Sequence, residues 1–260
     1  MARPDAHLSA RLAGLTASSF VMAHERLLPV PGAFGALFGI PLDESPNVTD
    51  HPALVRGHTV ACTGTAAMSC ALALVGSVTR SGSWVAVVGL PAVGVVAAAE
   101  LGVALDRTVF VADPRRVVVD GEAVDAATVV ATLVDGFEMV VMAPDVVTTV
   151  GAAGMRRLQS RAHTKGALLV VVGEQRSTSV DLCFSADIAH WEGLGQGHGH
   201  LQRRRVRLTL DGRRRPRPVQ RDMWLPDATG GVSVVELDHD AVDGTGDGTG
   251  RVVVPFRRAG

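Results

Sequence analysis

The sequence predicts an α/β fold: a mostly parallel sheet with helices on both faces, extended at its C-terminal edge by antiparallel β-hairpin strands. Three observations point there. Between His58 and Val172, short valine-rich runs alternate with helix-length segments, the pattern of parallel strands joined by right-handed crossovers. The strand runs are apolar at consecutive positions, as in a sheet buried on both faces. Beyond Gln175 the β-rich pieces are separated by Gly, Pro and Arg turns with no helices between them.

In chain order, Leu8, Leu12, Leu15, Phe20, Val21 and Leu27 recur at a roughly helical period over residues 6–28, and Pro29 and Pro31 end that helix. A polar linker, "PLDESPNVTDHP", follows with three prolines. Strands are then expected at 58–63, 84–89, 108–112, 138–143 and 167–172, alternating with helices at 67–78, 92–101, 124–134 and 152–164. Shorter β pieces are expected at 178–184, 204–210, 221–225, 232–237 and 251–256. The domain reading is an N-terminal helix and linker over 1–45, a core over 46–230 and an acidic Gly/Thr-rich extension over 231–260. The repeat "DGTGDGTGR" lacks carboxylates at the alternate positions of a calcium loop and reads as solvated chain.

A chain of 260 residues and 27.1 kDa can bury a sizeable core. Lys165 is its sole lysine, a bias toward arginine that fits GC-rich coding. A net charge of −1 gives no global case for nucleic acid or membrane, but the charge is uneven. Arg203 to Arg221 holds nine arginines and one acid, Asp211, whereas Asp222 to Asp247 holds seven acids and no Lys or Arg. Cys62, Cys70 and Cys183 form no CxxC and read as buried free thiols of a reducing cytoplasm. The charged N-terminus gives no signal-peptide pattern, and glycines and Pro91 break the uncharged runs from Val60 and Trp84 into pieces too short to span a membrane.

The stretch "GHTVACTGTAAMSCALALV" (57–75) is laid out as strand, small-residue loop and helix, like a phosphate-binding loop. Counted from Gly64, however, the second glycine falls on Ser69, the phosphate-binding lysine on Cys70 and the magnesium-binding hydroxyl on Ala71. No arginine stands nearby in sequence to replace the lysine. The carboxylate expected at the end of a later strand is missing, since Ala143 and Pro144 follow Met142 and Asp145 comes two residues late. Neither catalysis, nor a nucleotide cofactor, nor a metal is expected.

The segment Trp84 to Asp113, with its "LGVALD", resembles the second strand and following helix of bacterial RecA recombinases, and Arg205 to Gly230 is similar to the hairpin that closes the RecA core. With the loop frame, the resemblance spans about residues 30–230. It places RecA's catalytic glutamate near Leu90 and its γ-phosphate-sensing glutamine at Gln175. It places the two DNA-gripping loops at Pro144–Ala152 and Arg176–Val180, both reduced to short connections. A shortened RecA relative carrying "WEGLGQGHGH" (191–200) is similar to the actinobacterial ImuA-prime group. That resemblance implies work with ImuB, a catalytically inactive Y-family polymerase relative, and an error-prone DnaE-type polymerase in damage-induced translesion synthesis. The acidic extension after Gly230 has no counterpart in that group.

The surfaces expected to meet partners or DNA carry Trp191, Arg203, Arg204, Arg205, Arg213, Arg214, Arg215 and Trp224. In a hairpin, alternate arginines would face solvent, either to meet phosphates or to pair with the acidic stretch 222–247 or an acidic partner; no aromatic residue interleaves the strip to stack bases. His190, His198 and His200 have no acidic or thiolate companions arranged for a metal, and the glycines around them read as a tight turn with Trp191 as an anchor. The N-terminal helix is expected to self-associate, and deletion beyond Gly195 to abolish partner binding while sparing the core. The alternatives are an active ATP-dependent recombinase and an inhibitor of cell division in the same damage response.

Overall fold

The computed structural model describes residues 27–39, 53–173, 179–194 and 199–235. Its elements are β1 (Leu27–Pro29), α1 (Gly35–Phe38), β2 (Ala53–Val55), β3 (Thr59–Thr63), α2 (Ala67–Arg80), β4 (Val85–Val88), α3 (Val95–Glu100), β5 (Thr108–Val111), β6 (Val118–Val119) and β7 (Glu122–Ala123). There follow α4 (Ala126–Gly136), β8 (Met139–Met142), α5 (Pro144–Lys165), β9 (Leu168–Val172), β10 (Leu182–Leu194), β11 (Gly199–Gly212), β12 (Arg215–Trp224) and β13 (Ser233–Val234).

Nine strands form one sheet in the order β13-β12-β11-β10-β3-β9-β8-β4-β5. From β10 to β5 every pairing is parallel, and from β10 to β13 every pairing is antiparallel. The expected α/β sheet with a C-terminal antiparallel edge is therefore present. Every residue of β4, β8 and β9 is buried, which is why these strands read as continuous apolar runs.

Helices cover both faces. On one side α2 packs with β1, α1 and the hairpin strands around Phe34, Leu74, Phe184, Leu208 and Leu210. Eleven of its fourteen residues are buried, so an all-round apolar sequence suits it. On the other side α4 and α5 cover the parallel strands through Val130, Met155, Leu158 and Ala162. Asp125 caps α4 by accepting from the N–H groups of Ala127 at 2.9 Å and Thr128 at 3.1 Å, satisfying donors the first turn leaves free.

Several boundaries differ from expectation. Leu27 and Leu28 belong to a strand paired with β2, not to the end of a helix, because a residue before proline favours extended backbone and Pro29 and Pro31 follow closely; residues 6–26 lie outside the described set. The connection expected at Pro144–Ala152 is helical from Pro144, where a missing N–H is tolerated, and α5 is interrupted only at Gly151 (φ 70°, ψ 167°). Of the pieces expected at 178–184, 204–210 and 221–225, residues 182–184, 204–210 and 221–224 are parts of the long strands β10, β11 and β12. Residues 174–178, 195–198 and 236–260 lie outside the described set, and with them Gln175, His198, most of the acidic extension and the strand expected at 251–256. Among the described residues no helix is long and apolar enough to cross a membrane.

Candidate functional site

The loop after β3 occupies the place where a phosphate cradle would form, and three of its successive backbone donors, from Thr65 to Ala67, are engaged by the chain itself. Gly64 has φ +86°, and a Cβ there would collide with the Ala186 carbonyl on β10 and lie 2.7 Å from Asp187 Oδ1, so the loop lies directly against the neighbouring strand. The Thr65 N–H donates to Asp187 Oδ1 at 3.2 Å, the Ala66 N–H to the Ala186 carbonyl at 2.8 Å, and the Ala67 N–H to the Gly64 carbonyl at 3.2 Å. In return the Thr65 hydroxyl accepts from the Ile188 N–H at 2.9 Å. A carboxylate of the chain itself thus takes one of the amides that would face a nucleotide phosphate, and its charge opposes a second anion there.

At the position the phosphate-loop spacing gives to lysine, the chain places a core residue. Cys70 is fully buried beside Cys62, and hydrogen bonding to Cys70 together with burial pushes the Cys62 thiol well above its usual pKa. A protonated, buried thiol is a core hydrophobe, not a nucleophile. Leu90, at the glutamate position, packs partly buried against both hydrophobic clusters, and Asp145 sits in the first turn of α5.

One arginine does reach the loop helix, from a distance in sequence at which no motif search would find it. Arg204 on β11 donates from Nη2 to Ser69 Oγ at 2.6 Å and from Nε to the Leu225 carbonyl at 2.7 Å. Its guanidinium lies 5.0 Å from the Trp191 ring. Arg204 is 8% exposed, and burial lowers its pKa while leaving a guanidinium charged.

Alternation along β11 separates the arginine strip into two sets. Val206, Leu208 and Leu210 face the core with Arg204, while Arg203, Arg205 and Arg207 face outward. The outward set is largely neutralised. Arg203 pairs with Glu192 at 2.8 Å, and Arg205 and Arg207 pair with Asp222 at 2.5 and 3.2 Å. At the β11–β12 turn Arg213 and Arg214 pair with Asp181 at 2.6 and 3.4 Å. Of the acidic stretch 222–247, Asp222 is therefore one partner, joined by Asp181 and Glu192, which the sequence did not single out.

The fold also supplies the aromatic neighbours the linear strip lacks. Arg203 lies over Trp224 at 4.0 Å, and Arg215 lies 5.8 Å from Phe38. His190 meets Trp224 edge-on at 6.1 Å and shares a 3.2 Å contact with Glu192. Among the described residues no group of three or more His, Cys, Asp or Glu side chains is arranged to hold a metal. Trp191 and Leu201 are 42% and 48% exposed near the far end of β10 and β11.

Residues 47–177, half of the chain, match the model of the MT3502 N-terminal domain. This chain belongs to the MT3502 N-terminal domain family. The uncharacterized protein Rv3395c of Mycobacterium tuberculosis is 34% identical over 161 residues, covering 57% of this chain and 71% of the relative. The crystal structure of the RadB recombinase is similar at 12% identity with a TM-score of 0.48, over 78% of this chain and 97% of that one. The matched MT3502 segment contains the Gly64 loop and all the parallel strands except β10, whereas Asp187, Arg204 and the aromatic–arginine ladder lie beyond it.

Proposed function

We propose that the protein is a non-catalytic, RecA-like scaffold in damage-induced translesion DNA synthesis, working in the cytoplasm with an ImuB-like polymerase relative and an error-prone DnaE-type polymerase. The observation that carries the non-catalytic part is the loop after β3, where the Thr65 N–H is bound by Asp187 and the Ala66 N–H by the Ala186 carbonyl. A protein that keeps this frame without its phosphate cradle retains surfaces on which other chains can assemble. The exposed Trp191 and Leu201 and the Arg203–Trp224 pair offer the aromatic and arginine groups that dominate binding hot spots.

Two measurements test the proposal. Calorimetry with ATP and Mg²⁺ should give no saturable heat, and a micromolar dissociation constant would overturn the non-catalytic reading. Co-purification with an ImuB-like protein should be lost in Trp191→Ala/Leu201→Ala while the thermal transition is retained; undiminished capture would remove this surface from the proposal. Arg204, a cation beside Ser69 at the start of α2, favours a second reading as an ATP-dependent recombinase. That reading requires ATP turnover stimulated by single-stranded DNA.

A further inference from the structure

At the amino-terminal end of β3, opposite the Gly64 loop, lies a cavity of about 200 Å³ between the turn before β3, the last turns of α5 and the β11–β12 turn. Its walls carry His58, Gln159, His163, Asp181, Arg213 and Arg214. Two guanidinium groups thus face one carboxylate. Asp181 is buried and accepts from the Thr59 N–H at 2.9 Å, from Arg213 Nη2 at 2.6 Å and from Arg214 Nε at 3.4 Å. An arginine has five N–H donors, so each guanidinium keeps most of its hydrogen-bonding capacity after serving Asp181. Gln159 donates to Thr59 Oγ1 at 3.2 Å and to the Ser179 carbonyl at 2.8 Å, which fixes the cavity wall.

The histidines add to the same bias. Among the described residues, His58 Nδ1 is buried without a hydrogen-bond partner. Burial lowers the His58 pKa below 6.5; Asp181 opposes this, while Arg214, His163 and Arg213 lower it further. An anion in the cavity would relieve that repulsion and favour the charged imidazole. At roughly 30 Å³ per water molecule, the space equals about seven waters, below the roughly 300 Å³ of sites for drug-sized ligands. It suits one tetrahedral oxyanion with a short appendage, not a nucleoside triphosphate. Guanidinium forks match phosphate oxygens in geometry as well as charge.

We propose that this cavity binds a phosphate monoester group, held by Arg213 and Arg214 with His58 and His163 beside it. The group could belong to a small phosphorylated molecule or to the terminal phosphate of a nucleic-acid strand, and the site stands independently of the scaffold reading. The test titrates the full-length protein at constant ionic strength with inorganic phosphate, then with a short single-stranded oligonucleotide with and without its 5′-phosphate. Histidine ring signals are followed by NMR and heats by calorimetry. Inorganic phosphate should saturate with a dissociation constant on the order of 1 mM or tighter, moving the His58 and His163 resonances. With sulfate, a tetrahedral oxyanion whose charge does not change in this range, the affinity should rise as pH falls from 6.5, the direction set by His58 facing Asp181, Arg213, Arg214 and His163.

Arg213→Ala/Arg214→Ala should weaken binding about tenfold or more, and Arg116→Ala, remote and 88% exposed, should leave it unchanged. Should the double variant unfold, Arg214→Gln, which removes only the longer Asp181 contact, carries the comparison. Tighter binding of the 5′-phosphorylated strand than of its unphosphorylated counterpart assigns a nucleic-acid end, and equal weak binding of both assigns a small molecule. A wild-type protein whose histidine signals ignore phosphate, or variants that bind as well as wild type, would overturn the site.

Discussion

Asp187 and Arg204 are the residues on which the reading of the loop turns, and each gives a measurable expectation. Asp187→Ala removes the acceptor of the Thr65 N–H and should cost about 1 kcal/mol in urea unfolding, as losing a helix-cap acceptor does. Arg204→Ala leaves the Ser69 hydroxyl and the Leu225 carbonyl without their donor and uncovers Trp191. A loss of about 2–4 kcal/mol is expected, and lysine should not restore it because it lacks the planar fork. Asp181 sets an acid limb. Burial alone would raise its pKa, but hydrogen bonds from Arg213 and Thr59 and the charges of His58 and Arg213 outweigh burial, so the folded value lies below 3.8. The unfolded chain then binds more protons than the native one. The contribution is therefore full above 3.8 and lost as pH falls through the lower folded value, and Asp181→Asn should flatten that part of the acid-unfolding curve. His58 acts at higher pH: with its folded pKa below 6.5, stability should decline as pH drops from 6.5, and His58→Asn should remove this slope.

At the scale of elements, β11 has two roles separated by strand alternation. Its even-numbered face buries Val206, Leu208 and Leu210 in the same cluster as α2, while its odd-numbered arginines meet Glu192 and Asp222. Leu208→Ala should therefore cost about 2–5 kcal/mol by thermal or urea unfolding, whereas Arg207→Ala, whose pair is solvent-exposed, should cost under about 1 kcal/mol. Deletion after Gly195 is accordingly a poor probe of partner binding. It would strip Val206, Leu208, Leu210, Met223 and Leu225 from the core, so the truncated chain should lose its cooperative transition. The alternation of β11 is visible in the sequence, yet its length is not, because consecutive arginines at 203–205 hide the periodicity.

Across the whole molecule, the parallel order of β10, β3, β9, β8, β4 and β5 brings the β10 residues Ala186 and Asp187 against a loop more than a hundred residues earlier. The buried strands were legible from local spacing, because their valine runs respond to local solvent exclusion. Arg204 was not legible as a neighbour of Ser69, nor Asp181 as the counter-ion of Arg213 and Arg214. These contacts span 135, 32 and 33 positions, and no periodicity encodes which side chains meet across a sheet. Composition and spacing alone determined the α/β class and the alternation of elements, because each follows from interactions within a few turns of chain. Only the tertiary structure decided that an aspartate engages the loop, that five arginines of the strip share three carboxylates and that a cationic cavity lies at the opposite end of β3, because charge pairing and cavities arise where distant segments are brought together.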